Sequence, residues 1–385
     1  MNIRQHSKEQ LMEKLKHAFA YAMKRQSFSK VQIVKNAKNV CVFGLGRYFE
    51  EAFLKQDVRN RFGVRYLCDN NIERLRTLEG DSRYKGLLFV TPKELCRLED
   101  VAVIFMLGNP NSAIRQFSSV WGGVNCIAYN DLVLDEVMGA QTSQEWFAAQ
   151  QERMEQAFLL MEDDLSRTVY VNVFCNRVAP QSADYSYEDL CVQPQYFPHD
   201  VITLTEEECF VDCGAYNGDT FAAFTKIRNK FARYWGFEMD AHNYSRLREH
   251  VKKSGYTQAE CFPYGVWKET TDLSYGRMSS ADSYSIFNPR ELSRMHAVAL
   301  DDFLADEKIT MIKMDIEGAE MNALAGAEGI LKKQAPKLAV CVYHRLGDLW
   351  DIPLFIKSAV PEYRLYMRHH AECYVSETVC YALLF

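Results

Sequence analysis

Short apolar runs alternate with amphipathic stretches along most of the chain. The runs at 39–43, 64–68, 86–91, 101–106 and 124–129 are five or six residues long, the length of strands buried on both faces. Ahead of them, residues 8–25 place Leu11, Leu15, Phe19 and Ala22 near helical spacing, which predicts a helix. The alternation returns after residue 200, with strand-like runs at 208–212, 233–237, 260–266, 310–314 and 337–342 and a helix over 220–226. The final runs, 363–367 and 378–384, are close enough to pair antiparallel at a sheet edge. Strands alternating with helices predict an α/β fold made of two doubly wound domains, each with a mainly parallel sheet.

Between the halves, residues 141–162 turn helical, with Trp146, Phe147, Met154, Phe158, Leu159 and Met161 among polar residues. Residues 177–198 are rich in Tyr, Asp, Gln and Pro and lack a period, as a lid or substrate loop would. The expected organisation is therefore an N-terminal helix and Rossmann-like domain over 1–140, a connecting helix and lid loop over 141–199, and a second domain over 200–385. The length of 385 residues accommodates this, at roughly 150 residues per domain.

Composition narrows the function classes. With 48% hydrophobic and 25% charged residues the chain is ordinary globular material, not a disordered one. Forty-five basic against 51 acidic residues leave a charge of −6, so nothing global favours nucleic acid or an anionic membrane. The apolar runs fall short of the ~18 residues of a membrane span, and the polar first ten residues lack the pattern of a secretion signal. Many of the twelve cysteines, Cys41, Cys68 and Cys341 among them, sit in strand-like runs, where a thiol acts as a small hydrophobe. Reduced thiols and a cytoplasmic location are expected. Cys209 and Cys213 have no second pair or nearby histidine, so no metal is expected.

The candidate chemistry lies where strands end. In Asp212-Cys213-Gly214-Ala215-Tyr216-Asn217-Gly218 a strand runs into a glycine turn and then a helix. Glycines allow close backbone approach, and the helix start favours an anionic group. Asp212 at the head of the turn would repel a diphosphate but suits an ammonium or sulfonium, which S-adenosylmethionine combines with a carboxylate. Glu238 ends the next strand and is placed to accept ribose hydroxyls. An ordinary strand-to-helix turn with a solvent-facing acid would show the same glycines. Further on, Asp315 and Glu317 follow another strand and should face the ligand crevice, while Glu320 reads as a first-turn acid of the next helix. His344 follows the run at 337–342 and is a candidate base, although a lone histidine is commonly structural. Arg368, His369 and His370 form a polar cluster after a strand that reads at least as well as a solvated edge or loop. Ser279, Ser280, Asp282, Ser283 and Tyr284 form a hydroxyl-rich stretch suited equally to a polyhydroxylated acceptor and to a surface loop.

The second half resembles the FkbM family of S-adenosylmethionine-dependent methyltransferases. The matching stretches are Phe210-Val-Asp-Cys-Gly-Ala-Tyr-Asn-Gly-Asp-Thr220, Gly236-Phe-Glu238, Leu300-Asp-Asp-Phe-Leu304, Ile312-Lys-Met-Asp-Ile-Glu-Gly-Ala-Glu320 and Tyr363-Arg-Leu-Tyr-Met-Arg-His-His370. The resemblance implies a class I methyltransferase fold with an antiparallel last strand, and methylation of a hydroxyl oxygen on a sugar, glycan or related metabolite. It places Asp212, Gly214, Ala215, Tyr216, Gly218, Thr220, Glu238, Met239, Gly265 and Asp315 at the cofactor, with Asp315, His344 and Glu317 as catalytic candidates. The expected partner is a small-molecule or glycan acceptor, with no nucleic acid and no membrane insertion; a homo-oligomer is left open. The first half is similar to Rossmann-like domains that precede some sugar-modifying enzymes, through Val42-Phe-Gly-Leu-Gly-Arg47, Cys68-Asp-Asn70 and Gly86-Leu-Leu-Phe-Val-Thr-Pro92. Phe49 stands where the dinucleotide fingerprint has its third glycine. That weakens a rival reading as an NAD-dependent oxidoreductase. The other rival is a non-catalytic nucleotide- or sugar-binding protein with a methyltransferase-like fold.

Overall fold

β1 (Asn39–Phe43), β2 (Tyr66–Cys68), β3 (Leu88–Val90), β4 (Val101–Phe105) and β5 (Cys126–Ala128) make an all-parallel sheet in the order β3-β2-β1-β4-β5. Alternate residues feed two cores. Val40, Val42 and Ile104 face one of them and Cys41, Phe43, Val103 and Phe105 the other. Burial on both faces is why these strands read as unbroken apolar runs. The computed structural model describes residues 6–23, 30–107, 144–179, 182–277, 284–285, 293–372 and 376–384, together with 110, 113–114, 117, 120, 125–129, 132–133 and 135. Two compact units emerge, Met1–Gln151 with Val171–Leu190 and Ala371–Ser376, and Glu152–Tyr170 with Cys191–His370 and Glu377–Phe385. The expected connecting segment is thus shared between them.

In the first unit Phe49 is fully buried, its ring centroid 4.6 Å from that of Phe53 and 5.6 Å from that of Tyr84. An aromatic cluster therefore occupies the place of the third glycine. The Leu45 amide donates to Asp69 at 2.7 Å, which ties the turn after β1 to the end of β2.

The second unit contains β6 (Cys209–Cys213), β7 (Arg233–Phe237), β8 (Ala259–Phe262), β9 (Gly265–Val266), β10 (Thr271–Arg277), β11 (Tyr284–Ser285), β12 (Ser293–Val298), β13 (Met311–Met314), β14 (Lys337–Cys341), β15 (Arg364–His369) and β16 (Thr378–Leu383). Seven of them form a sheet ordered β15-β16-β14-β13-β6-β7-β8. Only β16 is antiparallel to its neighbours, as the terminal runs predicted. The remaining four form a smaller sheet, β11-β10-β12-β9.

Several expectations need correction. The run 260–266 is two strands in different sheets, because Pro263 has no N–H to give to a ladder. The polar stretch around 276–294 is bordered by β10 and β12, which pair antiparallel over Thr271–Tyr275 and Ser293–Ala297. Exposed positions such as Asp272 and Ser274 alternate with half-buried Thr271 and Leu273, so a one-sided sheet hid in a polar composition. Ser279, Ser280, Asp282 and Ser283 lie outside the described residues, while Tyr284 opens β11. The helix expected over 141–162 is two, Gln144–Ala148 and Gln151–Leu159, and a third, Asp164–Val178, follows. Asp163 accepts from the Ser166 amide at 2.7 Å ahead of that third helix. Arg368, His369 and His370 are buried, not solvated, and Arg368 pairs with Asp163 at 2.6 Å and Asp200 at 2.8 Å. Cys41, Cys68, Cys209, Cys213, Cys341 and Cys380 are buried free thiols. Among the described residues no helix is long and apolar enough to cross a membrane.

Candidate active site

The ends of β6, β7 and β13 converge on one cavity of about 610 Å³ in the second unit. After β6 the chain turns through Gly214 at φ +77°, Tyr216 at φ 46° and Gly218 at φ 90°, then enters the helix Asp219–Ile227. A β-carbon on Gly214 would stand 1.9 Å from the Asp315 carbonyl oxygen. Glycine is required there because the turn presses on the end of β13. Gly214→Ala should cost about 2–4 kcal/mol, the left-handed backbone and the overlap each contributing roughly 1–2; urea unfolding of the variant checks this.

Glu238 follows β7. Its carboxylate accepts the Tyr216 amide at 2.9 Å and the Asp240 amide at 2.8 Å, which fixes it against the turn. Burial raises its pKa to about 7 even though the two amides pull the other way. Glu238, Gly214, Tyr216, Thr220, Met239, Gly265, Asp315 and Glu317 all line the cavity. Four expected residues are not on its wall: Asp212, Ala215, Gly218 and His344.

Asp212 is fully buried beneath the turn. Lys313, itself 2% exposed, stands 3.0 Å from one of its oxygens, and the Tyr234 hydroxyl donates to the other at 2.9 Å. The Lys313 ammonium also donates to the Gly214 carbonyl at 2.7 Å and lies 4.9 Å from the Tyr196 ring centroid. Burial pulls the Lys313 pKa down, but Asp212 and Asp315 more than offset it, so the ammonium stays charged. The Asp212 carboxylate thus has its cation inside the protein. It organises the turn and is not on the cavity wall.

Asp315 sits on the wall. Tyr196 donates to its Oδ2 at 2.7 Å and Tyr343 to its Oδ1 at 2.9 Å. Burial raises its pKa, yet the charges of Lys313 and His344 and the two hydroxyls outweigh that and hold it below the usual carboxylate range. His344 is 1% exposed, with Nε2 3.5 Å from both Asp315 Oδ1 and Glu317 Oε2, and Nδ1 2.9 Å from Glu320 Oε1. Burial lowers its pKa, but Glu320, Glu317 and Asp315 raise it to about 10. The three carboxylates favour the protonated imidazole, which is a poor acceptor of a further proton. Glu320 is the first residue of the helix Glu320–Ala325, as its first-turn reading implied, and also accepts from the Ile316 amide at 2.9 Å.

Other groups on the wall escaped the sequence. Gln193, Pro194, Gln195 and Tyr196 come from the stretch read as a lid loop, and Tyr343 precedes His344. Glu377, between β15 and β16, takes a hydrogen bond from Gln195. Burial, then the charge of Asp315, raises its pKa to about 7.

An open sheet of this strand order, with a glycine turn after its central strand and an acid after the next, defines a methyltransferase fold. Residues 212–372 match the methyltransferase FkbM domain. Among solved structures, the methyltransferase FkbM of Methylobacillus flagellatus KT is similar at a TM-score of 0.70 and 20% identity, over 98% of this chain and 100% of that one. An rRNA methylase of Streptococcus thermophilus aligns at a TM-score of 0.32 and 15% identity, over 47% of this chain and 90% of that one. Fibrillarin of Aeropyrum pernix aligns at 0.32 and 10% identity, over 48% and 70%. No curated protein matches significantly.

Proposed function

We propose that the second unit binds S-adenosylmethionine and methylates a hydroxyl oxygen of a sugar, glycan or related metabolite. The observation that carries this reading is a single cavity whose wall holds both the glycine turn with Glu238 and the hydroxyls and carboxylates of Tyr196, Asp315, Tyr343 and Glu377. When bound, the cofactor supplies an electrophilic methyl group on a sulfonium. Glu238 accepts the ribose hydroxyls, and Met239, Val266 and Trp267 supply apolar surface for the adenine. Asp315, ionised and held by two tyrosines, accepts a hydrogen bond from the acceptor hydroxyl and orients it; much of the acceleration comes from such positioning. Glu377, with its carboxyl poised near neutrality, takes the hydroxyl proton.

Because Glu238 accepts hydrogen bonds best when ionised and its pKa is about 7, affinity for S-adenosylmethionine should fall as pH drops below that value. Glu238→Gln should bind weakly and independently of pH, as calorimetry across pH 5.5–8.5, about three units, would show. The acceptor is found by incubating the protein with labelled S-adenosylmethionine and extracts of glycans and metabolites, then identifying by mass what gains the methyl. No binding at millimolar cofactor would overturn the reading in favour of a non-catalytic binding protein.

A further inference from the structure

Three carboxylates surround one imidazole at the edge of this cavity. His344 and Glu320 are each 1% exposed, yet His344 Nε2 and Glu320 Oε2 make no hydrogen bond among the described residues. Nε2 points between Asp315 Oδ1 and Glu317 Oε2, 3.5 Å from each, too far for a hydrogen bond to either. Buried polar atoms are ordinarily satisfied, and three negative charges around one ring leave a local excess that a cation would balance.

One ligand atom each from Asp315, Glu320 and His344 falls within 4.8 Å of the others. Donors about 2.1 Å from a common ion stand about 3–4 Å apart, so small side-chain shifts close the set. We propose that Asp315, Glu320 and His344 form a divalent-cation site, with Glu317 at its cavity edge, the ion displacing the proton that the carboxylates otherwise hold on the imidazole. One imidazole with carboxylates suits a first-row ion such as manganese or zinc better than calcium. The hydroxyls of Tyr196 and Tyr343 on Asp315 supply the outer hydrogen bonds that ligating carboxylates commonly have. Asp315 and Glu317 line the cavity, so an open position on the ion faces the acceptor. There it binds the acceptor hydroxyl and makes its proton easier to remove. That role rests on the methyltransferase reading, whereas ion binding itself does not.

The test needs no methyl donor. Full-length protein stripped with EDTA and desalted is titrated with manganese chloride, read by electron paramagnetic resonance, and with zinc chloride, read by calorimetry. One equivalent bound by the wild type, weakened tenfold or more in Glu320→Gln and in Asp315→Asn, is expected. Asp315→Asn alters a residue on the cavity wall and so guards against a variant that fails merely by misfolding; circular dichroism melting confirms the fold of both. No saturable binding of either ion at millimolar concentration overturns the proposal, as does binding undiminished in both folded variants. Calorimetry with S-adenosylmethionine on the same samples separates the two readings: an ion bound without cofactor binding sinks the proposed function and leaves the cation site standing.

Discussion

Replacing Asp315 with alanine is expected to lower methyl transfer by about 10²-fold or more, the cost of losing the group that positions the acceptor hydroxyl. The wild-type carboxylate is held by the Tyr196 and Tyr343 hydroxyls at 2.7 and 2.9 Å, so its loss removes both the hydrogen-bond acceptor for the substrate and the anchor of two cavity tyrosines. Adenosylhomocysteine release, once an acceptor is identified, measures the effect; a wild-type rate would remove Asp315 from the mechanism. Glu377→Gln separates orientation from proton transfer. The base acts only when ionised, so the wild-type rate should rise with pH and level off above about 7. In Glu377→Gln that rise should disappear along with most of the activity.

Lys313→Met should cost about 3–5 kcal/mol of stability, because it leaves the buried Asp212 carboxylate without its cation. It also removes the donor to the Gly214 carbonyl, so the turn loosens as the unit weakens. The double variant Lys313→Met with Asp212→Asn should recover part of the loss, since no unpaired charge then remains. Denaturant midpoints of the single and double variants decide this, and equal losses in both would show that the pair is not what the lysine serves.

Much of the architecture was legible because buried strands and helix faces leave local patterns. β1 and β7 begin and end where the apolar runs do, and the terminal runs announced the β15–β16 pair. The turn at Gly214 and the acids Glu238, Asp315 and Glu317 were legible too, since strand ends in an open sheet face its crevice. β10 and β12 were not, because half-exposed strands carry polar residues that resemble a loop.

The roles of the acids divide along the same line. The sequence by itself determined which carboxylates stand at strand ends, because chain order and strand length place them there. Only the tertiary structure decided what each carboxylate meets. Lys313 and Tyr234 reach Asp212 from neighbouring strands and turn a supposed cofactor partner into an internal ion pair. Glu317, Glu320 and Asp315 gather around His344 and keep its proton on. Tyr196 and Glu377, 119 and 62 positions from Asp315 by their numbering, join it on one wall. Charge state depends on burial and on neighbours in space, and neither is written in the local pattern of a chain.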